Sequence, residues 1–462
     1  MKSVLIANYH KPYPPRDGAD GRCIDLIRAF QSLGYKVILF SSDLFQQAPW
    51  TDESITFTEH DLNVKVFLYF ATDQEKAYVQ STRLQWNEYV LPTLKDYFTS
   101  LYKALQPEIV LINYVFWANL ATGCSFKRSV RIIDAIDLLS LNQKMASVTI
   151  EYLNKGVRNE RLQYQVEGVN NDLLKEDFFS TFSFTPDEEE LALYDTFDIT
   201  IAINPKEEDQ IRSYTSSTKC IYLPFSFTVN NTLKTYTSPP VFAIGPNQFN
   251  FQGYLYFVHK VLPAILVQRP DFVLHVIGDG CKYLEGSKGI DLLGFVPDLQ
   301  KLYSSSKFAI CPLIGATGQQ LKVMEAMANG LPVVVLRNVA ERCPIIHNQN
   351  GLIADNALEF ANYTLQLYSN PDLCNKLGMA ARATIEKEFT SQHLSAKLKR
   401  TIDALNKGNK LNLNFIRRIY WHSIFIYEIR FGKYQLPGTP PSFGKRQLMR
   451  MKRLIKRMLS GK

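Results

Sequence analysis

The segment 318–335, which runs from Gly318 to Val335, contains two charges, Lys322 and Glu325, in a run otherwise rich in small and apolar residues. Residues three apart share one helix face, so both side chains can reach one ligand. They fall in the first turn of a predicted short helix. A loop precedes that helix, Gly330 stops it, and a buried strand follows at 331–336. Free N–H groups and the dipole at a helix's first turn favour an anion. A lysine there neutralises a phosphate. A glutamate beside it accepts hydrogen bonds from ribose or sugar hydroxyls. The combination points to a sugar that carries a phosphate leaving group. Spacing alone leaves a second reading open, an ordinary solvated Lys–Glu pair on a capping face, because such pairs are common and weakly stabilising.

The elements that must hold this pair form two α/β series. In the first, an apolar strand at 2–8 leads into a loop at 11–22. A helix follows with Ile24, Leu26, Ile27, Phe30 and Leu33 on its apolar face, and Gly34 ends it before a strand at 36–40. This is a βαβ unit, whose strands should be parallel and whose crossover should be right-handed. Further strands are predicted at 108–113, 131–135, 199–203 and 219–222, with helices at 85–104 and 187–195. Residues 141–186 read as a helical or loop insertion. A polar stretch ending in Pro239-Pro240 reads as a linker at 229–240. The second series has strands at 240–245, 272–280, 290–293, 308–312 and 331–336. The expected fold is α/β, two Rossmann-like doubly wound domains facing a cleft, with ligands at the carboxyl ends of the strands. The expected boundaries are 1–230, 231–390 and 391–462.

Bulk properties agree with this outline. A chain of 462 residues exceeds one ordinary core, and 46% hydrophobic with 21% charged residues is globular. The seven cysteines are dispersed, without a Cys-x-x-Cys pair, which points to reduced thiols in a cytoplasmic protein. The N-terminal apolar run is too short for a signal peptide, and no segment approaches the roughly 20 apolar residues that cross a bilayer. The net charge is +8, but residues from Lys407 onward hold fourteen Lys/Arg against one acidic residue, Glu428, leaving the first 406 residues at −5. A mildly acidic body argues against nucleic acid as a partner. Within the tail, Leu448, Met451, Leu454, Ile455, Met458 and Leu459 make an apolar helix stripe opposite a cationic face. Residues 445–459 are therefore expected to form a basic amphipathic helix suited to an anionic membrane surface; docking on the body and binding a partner protein are the other readings.

The order of motifs resembles the GT-B retaining glycosyltransferases of the group 1 (family 4-like) type, which use nucleotide-sugar donors. The resemblance covers residues 1–400 in layout and is most specific in 240–390. Asp17-Gly18-Ala19-Asp20-Gly21-Arg22 stands where that family has a Gly-rich loop facing the cleft. Gly245–Gly253 looks like the first loop of its donor domain. Gly294-Phe295-Val296 resembles the turn that meets the nucleotide base. Glu325 followed by Ala326-Met327-Ala328-Asn329-Gly330-Leu331-Pro332 is the closest match. Three departures stand out. Ile136 occupies the place of a sugar-contacting histidine. Thr317 stands where an earlier glutamate is common. The loop 245–253 lacks the Arg and Lys that usually hold the diphosphate.

The resemblance implies transfer of a sugar to an acceptor hydroxyl with retained anomeric configuration, in cell-surface or envelope glycan synthesis. The residues it marks for chemistry are Lys322, Glu325 and Asp137. Those it marks for donor binding are Gly18, Gly21, Asn247, Val296, Thr317, Gly318 and Gln320. Lys322 would replace the missing cations, Glu325 would hold ribose hydroxyls, and Thr317 with Gly318 would face the donor sugar. Asp134 and Asp137 could bind sugar hydroxyls or position an acceptor, or simply cap the next helix. No cofactor or metal is expected. The expected partners are a nucleotide-sugar donor and a glycan, lipid-linked or protein acceptor, and the expected location is the cytoplasm or the inner face of the cell membrane. The departures also motivate an alternative, a non-catalytic GT-B-shaped binding or chaperone subunit of a glycosyltransferase complex.

Overall fold

The computed structural model describes residues 2–405 apart from 46–49, 83, 85, 87, 124, 125, 127, 155–163 and 165–167. Two all-parallel sheets carry the architecture. The first contains β1 (Ser3–Ala7), β2 (Lys36–Ser42), β3 (Lys65–Tyr69), β4 (Ile109–Asn113), β5 (Val130–Asp134), β6 (Ile199–Ala202) and β7 (Lys219–Tyr222). Its strand order is β3-β2-β1-β4-β5-β6-β7. The second contains β8 (Val241–Ala243), β9 (Leu274–Ile277), β10 (Ile290–Gly294), β11 (Ala309–Cys311), β12 (Val333–Leu336) and β13 (Leu352–Ala354), in the order β10-β9-β8-β11-β12-β13. Both orders reverse beside their first strand, at β1/β4 and at β8/β11. Such reversals open a crevice at the strands' carboxyl ends.

The central strands, such as β4 and β12, are short, rich in Val and Ile, and buried on both faces. That pattern belongs to a parallel sheet covered by helices. Each sheet has its own apolar core. The second core also takes in Leu173, Leu174 and Phe178, which come between β5 and β6 in the chain. Gln252 Nε2 donates to Leu173 O at 2.9 Å, and Tyr256 Oη donates to Glu176 at 2.6 Å. A strap from the first series is thus packed into the second. The stretch expected as an insertion holds the helix Leu139–Asn154 followed, within 168–186, by this strap.

Two parts of the sequence reading differ from the structure. The helix expected after Arg22 starts at Gly18, because Asp17 caps it by accepting from Asp20 N at 2.9 Å. Gly18 and Gly21 therefore lie in a helix's first turn rather than in a loop. Strand β3 and the preceding helix Asp52–Leu62 were not anticipated, nor was the three-residue β13. The basic helix expected at 445–459 lies outside the described residues. Among the described residues, no helix is long and apolar enough to cross a membrane.

Candidate functional site

The helix Leu321–Ala328 starts beside the β8/β11 switch point, and no side chain caps its N-terminus. Its two charges line different recesses. Lys322 turns toward the end of β8, and a Cβ added at Gly245 would lie 3.3 Å from its Nζ. Glu325 lines a separate cavity of about 400 Å³ with Tyr303, Leu299, Asn329 and residues 226–230. A ligand that touches both must be long enough to run past the helix start.

Neither charge is neutralised. Among the described residues, no carboxylate lies within 4.0 Å of the Lys322 ammonium, and the Glu325 carboxylate has no hydrogen-bond donor. Burial pushes the lysine down to about 8, against the opposing pull of Cys311 and Glu325. Burial raises Glu325, and Lys322 opposes that shift. Backbone crowds the same place. Gly278 has φ +105, and a Cβ there would stand 2.1 Å from Ile244 O. A Cβ on Gly280 would stand 2.7 Å from Gly245 O. Only glycine permits this approach, which leaves exposed backbone beside a cation.

The loop 312–320 joins the second sheet to the first. Thr317 Oγ1 donates to Asp137 Oδ2 at 3.0 Å, while Asn142 Nδ2 donates to Thr317 Oγ1 and, at 2.8 Å, to Asp137 Oδ2. Gly318 N donates to Glu207 Oε1 at 2.7 Å. Gly318 has φ +65, a left-handed turn that a side chain would strain. Asp137 reaches this loop because Ile136 adopts φ +57, an uncommon conformation for a β-branched residue.

Asp137 and Glu207 are neighbouring buried carboxyl groups. Burial, then the charge of Glu207, raises Asp137 well above the carboxylate range. Burial also raises Glu207. Asp137 Oδ1 and Glu207 Oε2 are both enclosed without a hydrogen-bond partner, and burial beside a second carboxyl favours a proton on the pair.

The remaining expected residues are placed as follows. Gly18 packs against Leu321, since a Cβ there would meet Leu321 Cδ1 at 2.4 Å; a Cβ on Gly21 would meet nothing within 4 Å. Asn247 is exposed and caps the helix Gln248–Tyr256 by accepting from Asn250 N at 3.0 Å. Val296 is half-buried just past β10, next to the exposed Phe295.

The amide of Gly318, expected with that of Gln320 to face a phosphate, is engaged elsewhere. Gly318 N–H meets Glu207 Oε1. Asp134, considered for sugar binding, is instead the ion-pair partner of Arg22, with Arg22 Nε 2.8 Å from Asp134 Oδ2.

Sequence reading missed Glu207, which gave no signal beyond an acidic first turn after Asn204-Pro205. It also missed a cluster of His10, Asp17 and Asp20, whose ligand-type atoms lie within 4.8 Å of one another. His10 is already paired with Asp20 at 2.9 Å, and Asp17 is committed to its cap.

Residues 238–370 match the family described as glycosyl transferases group 1. An uncharacterized 44.6 kDa protein of the cps region of Klebsiella pneumoniae is 22% identical over 161 residues, which span 32% of this chain and 42% of that protein. Among solved structures, sucrose-phosphate synthase from Thermosynechococcus elongatus superposes with a TM-score of 0.58 at 15% identity, covering 88% of this chain and 100% of that one. Anabaena HepE, solved in complex with UDP and glucose, gives 0.55 at 15% identity over 87% and 100%. Staphylococcus aureus TarM, solved with UDP and alpha-GlcNAc-glycerol, gives 0.57 at 11% identity over 87% and 99%. The fold is the GT-B fold.

Proposed function

We propose that this chain, a GT-B fold with a glycosyl transferases group 1 domain at 238–370, moves a sugar from a nucleoside diphosphate to an acceptor hydroxyl with retention. The observation that carries the reading is the unneutralised Lys322 ammonium beside the glycine-lined end of β8. A buried cation without a counter-charge is costly, and a bound diphosphate would supply that counter-charge.

The nucleoside fits the cavity of about 400 Å³, where Glu325 accepts from ribose hydroxyls. The diphosphate then passes Lys322, and the sugar reaches Thr317 and Asp137. In the reaction, the anomeric carbon–oxygen bond to the β-phosphate breaks and a bond to the acceptor oxygen forms on the same face. The acceptor proton passes to the leaving phosphate, which acts as base. Lys322 and the helix dipole stabilise the charge that develops on the leaving group. No protein nucleophile is assigned, so Ile136 in the histidine's place does not remove a required group. A cytoplasmic enzyme acting on cell-surface glycans, held at the membrane by residues 445–459, remains part of this proposal.

The test is release of nucleoside diphosphate from a panel of UDP-, GDP-, ADP- and dTDP-sugars by the full chain. Release with at least one donor is expected. Binding without release from any of them would turn the reading to the non-catalytic subunit, and no binding at all would remove the donor site.

A further inference from the structure

The helix that carries Lys322 does not fix its own start. The loop 312–320 leads into Leu321–Ala328 without a side-chain cap. One bond inside the loop, from Gln320 Nε2 to Thr317 O at 3.2 Å, closes its last turn. Further hold comes from the first sheet's side, through elements far apart in the chain. Phe179 of the strap fills the space beside Gly315, where a Cβ would strike its ring. Asp137 and Asn142 bond the Thr317 hydroxyl. Phe225 N donates to Gln319 Oε1 at 3.2 Å. Glu207 Oε1 accepts from Gly318 N at 2.7 Å.

Of these hydrogen bonds from the first side, only the last takes hold of the loop's main chain. Asp137, Asn142 and Phe225 meet side chains, about which the backbone can still turn. Glu207 meets the N–H of a residue whose φ of +65 sets the direction of the turn. Its bond orients the peptide between Thr317 and Gly318, and so the approach to Lys322.

The side chain is free to do this because of how its own helix begins. Asn204 caps the helix Pro205–Tyr214 by accepting from Glu207 N at 2.9 Å. A glutamate at this third helical position commonly bends back to the N–H of the cap. Here its Oε1 crosses to the other sheet's loop instead. The arrangement is costly, since Glu207 is 2% exposed and its Oε2 has no hydrogen-bond partner. A half-satisfied buried carboxyl is poor support for an ordinary turn. It is reasonable support for a turn whose position decides a reaction.

We propose that Glu207 is a positioning residue for the transfer: by holding Gly318 N–H it sets the loop that presents Thr317 and leads into Lys322. The inference rests on the glycosyl-transfer reading above and adds to it a residue that touches neither donor nor acceptor. The nucleoside recess around Glu325 and Tyr303 includes no part of the loop 312–320 or of the helix Pro205–Tyr214, so loss of Glu207 spares donor binding.

The test is steady-state release of nucleoside diphosphate by the full chain from UDP-, GDP-, ADP- and dTDP-sugars, with backbone hydrogen exchange of the loop on the same samples. In Glu207→Ala, kcat should fall about ten- to a hundredfold, as misplacement near reacting atoms does, while donor KM changes less than about threefold. Glu207→Gln keeps an oxygen for Gly318 N–H and should restore most of kcat. Gly318→Ala strains the same turn without touching Glu207, so the double variant Glu207→Ala/Gly318→Ala should be no worse than the poorer single one. Glu208→Ala loosens the same helix by removing the partner of Tyr222 N and Arg212, and should leave kcat unchanged. Exchange of the loop's amides should quicken in Glu207→Ala and not in Glu208→Ala. An unchanged kcat in Glu207→Ala, a loss carried by KM alone, an equal loss in Glu207→Gln or Glu208→Ala, additive losses in the double variant, or a fall in kcat without faster exchange would each overturn the inference. If the wild-type chain releases nothing from any donor, the transfer reading fails and takes this role with it. If the wild type turns over and Glu207→Ala matches it, only the positioning role falls.

Discussion

Arg22 and Lys322 are both cations withdrawn from solvent, one under each sheet, and their surroundings are opposite. Arg22 is fully buried and saturated. Its Nε meets Asp134, its Nη2 donates to Leu223 O at 2.9 Å, and its Nη1 donates to Pro224 O at 2.7 Å. Its guanidinium also lies 5.3 Å from the Phe225 ring centroid. Lys322 has none of this and is left with a nearby glycine turn. A satisfied buried charge fixes structure, here by tying the helix Gly18–Ser32 to β5 and to the chain beyond β7. An unsatisfied one is tolerated where a ligand of opposite charge completes it.

The contrast is sharpest in the sign of a stability change. Removing Arg22 leaves Asp134 buried without its partner, so Arg22→Met should cost about 3–5 kcal/mol and impair folding. Removing Lys322 relieves a desolvated charge. Its depression to about 8 corresponds to a penalty on the order of 3 kcal/mol. Lys322→Met should therefore melt at or above the wild-type temperature without ligand, yet lose about 10²–10³-fold in nucleoside diphosphate release. Thermal melts and donor turnover on both variants read this directly. A destabilised Lys322→Met would make Lys322 a second structural cation and break the contrast.

A smaller effect follows from protonation. A lysine with a depressed value destabilises the fold while it is charged, so the penalty is present below about 8 and disappears as pH rises toward the ordinary lysine value. Diphosphate binding needs the charged form. Affinity should be flat below pH 8 and fall by up to about tenfold per pH unit above it, with proton uptake on binding. Calorimetry in two buffers of different ionisation enthalpy measures that uptake. Lys322→Arg should abolish the slope, and a slope that survives it would assign the titration to another group.

The two regions also differ in how far the sequence disclosed them. The turns around the second sheet were legible because each is contiguous in the chain: Gly245 after β8, Gly294 after β10, and Gly318 to Gly330 around one helix. Local spacing encodes such turns. The first side is built from long-range pairs. Arg22 and Asp134 are 112 positions apart, and Glu207 and Gly318 are 111 apart. No window of sequence joins them. The strap at 168–182 was obscure for the same reason, since its apolar residues serve the other sheet's core. Local spacing alone did not give the division into two recesses. Lys322 and Glu325 share a helix face, but a helix edge wedged between cavities sends its neighbours into different ones.

The least effect is expected at the carboxyl pair, and it tests whether the first side is as fully compensated as Arg22 suggests. Burial and Glu207 raise Asp137 well above the carboxylate range, so Asp137 is held with a proton. A raised acidic group contributes its stability below its unfolded value and loses it as pH climbs through the folded value. The groups facing the pair include Arg342, which lowers Glu207, and the tyrosines Tyr114 and Tyr194, which are themselves raised by burial. Asparagine reproduces a protonated aspartate in shape, accepting from Thr317 and donating toward Glu207. Asp137→Asn should therefore leave the melting temperature nearly unchanged at about pH 3.5, below the unfolded aspartate value, and raise it progressively toward pH 8. If Asp137→Asn destabilises equally at both pH values, Asp137 is an ionised acceptor of hydrogen bonds. The first side would then hold an uncompensated charge of its own, and the division between a saturated side and a waiting side would fail at this residue.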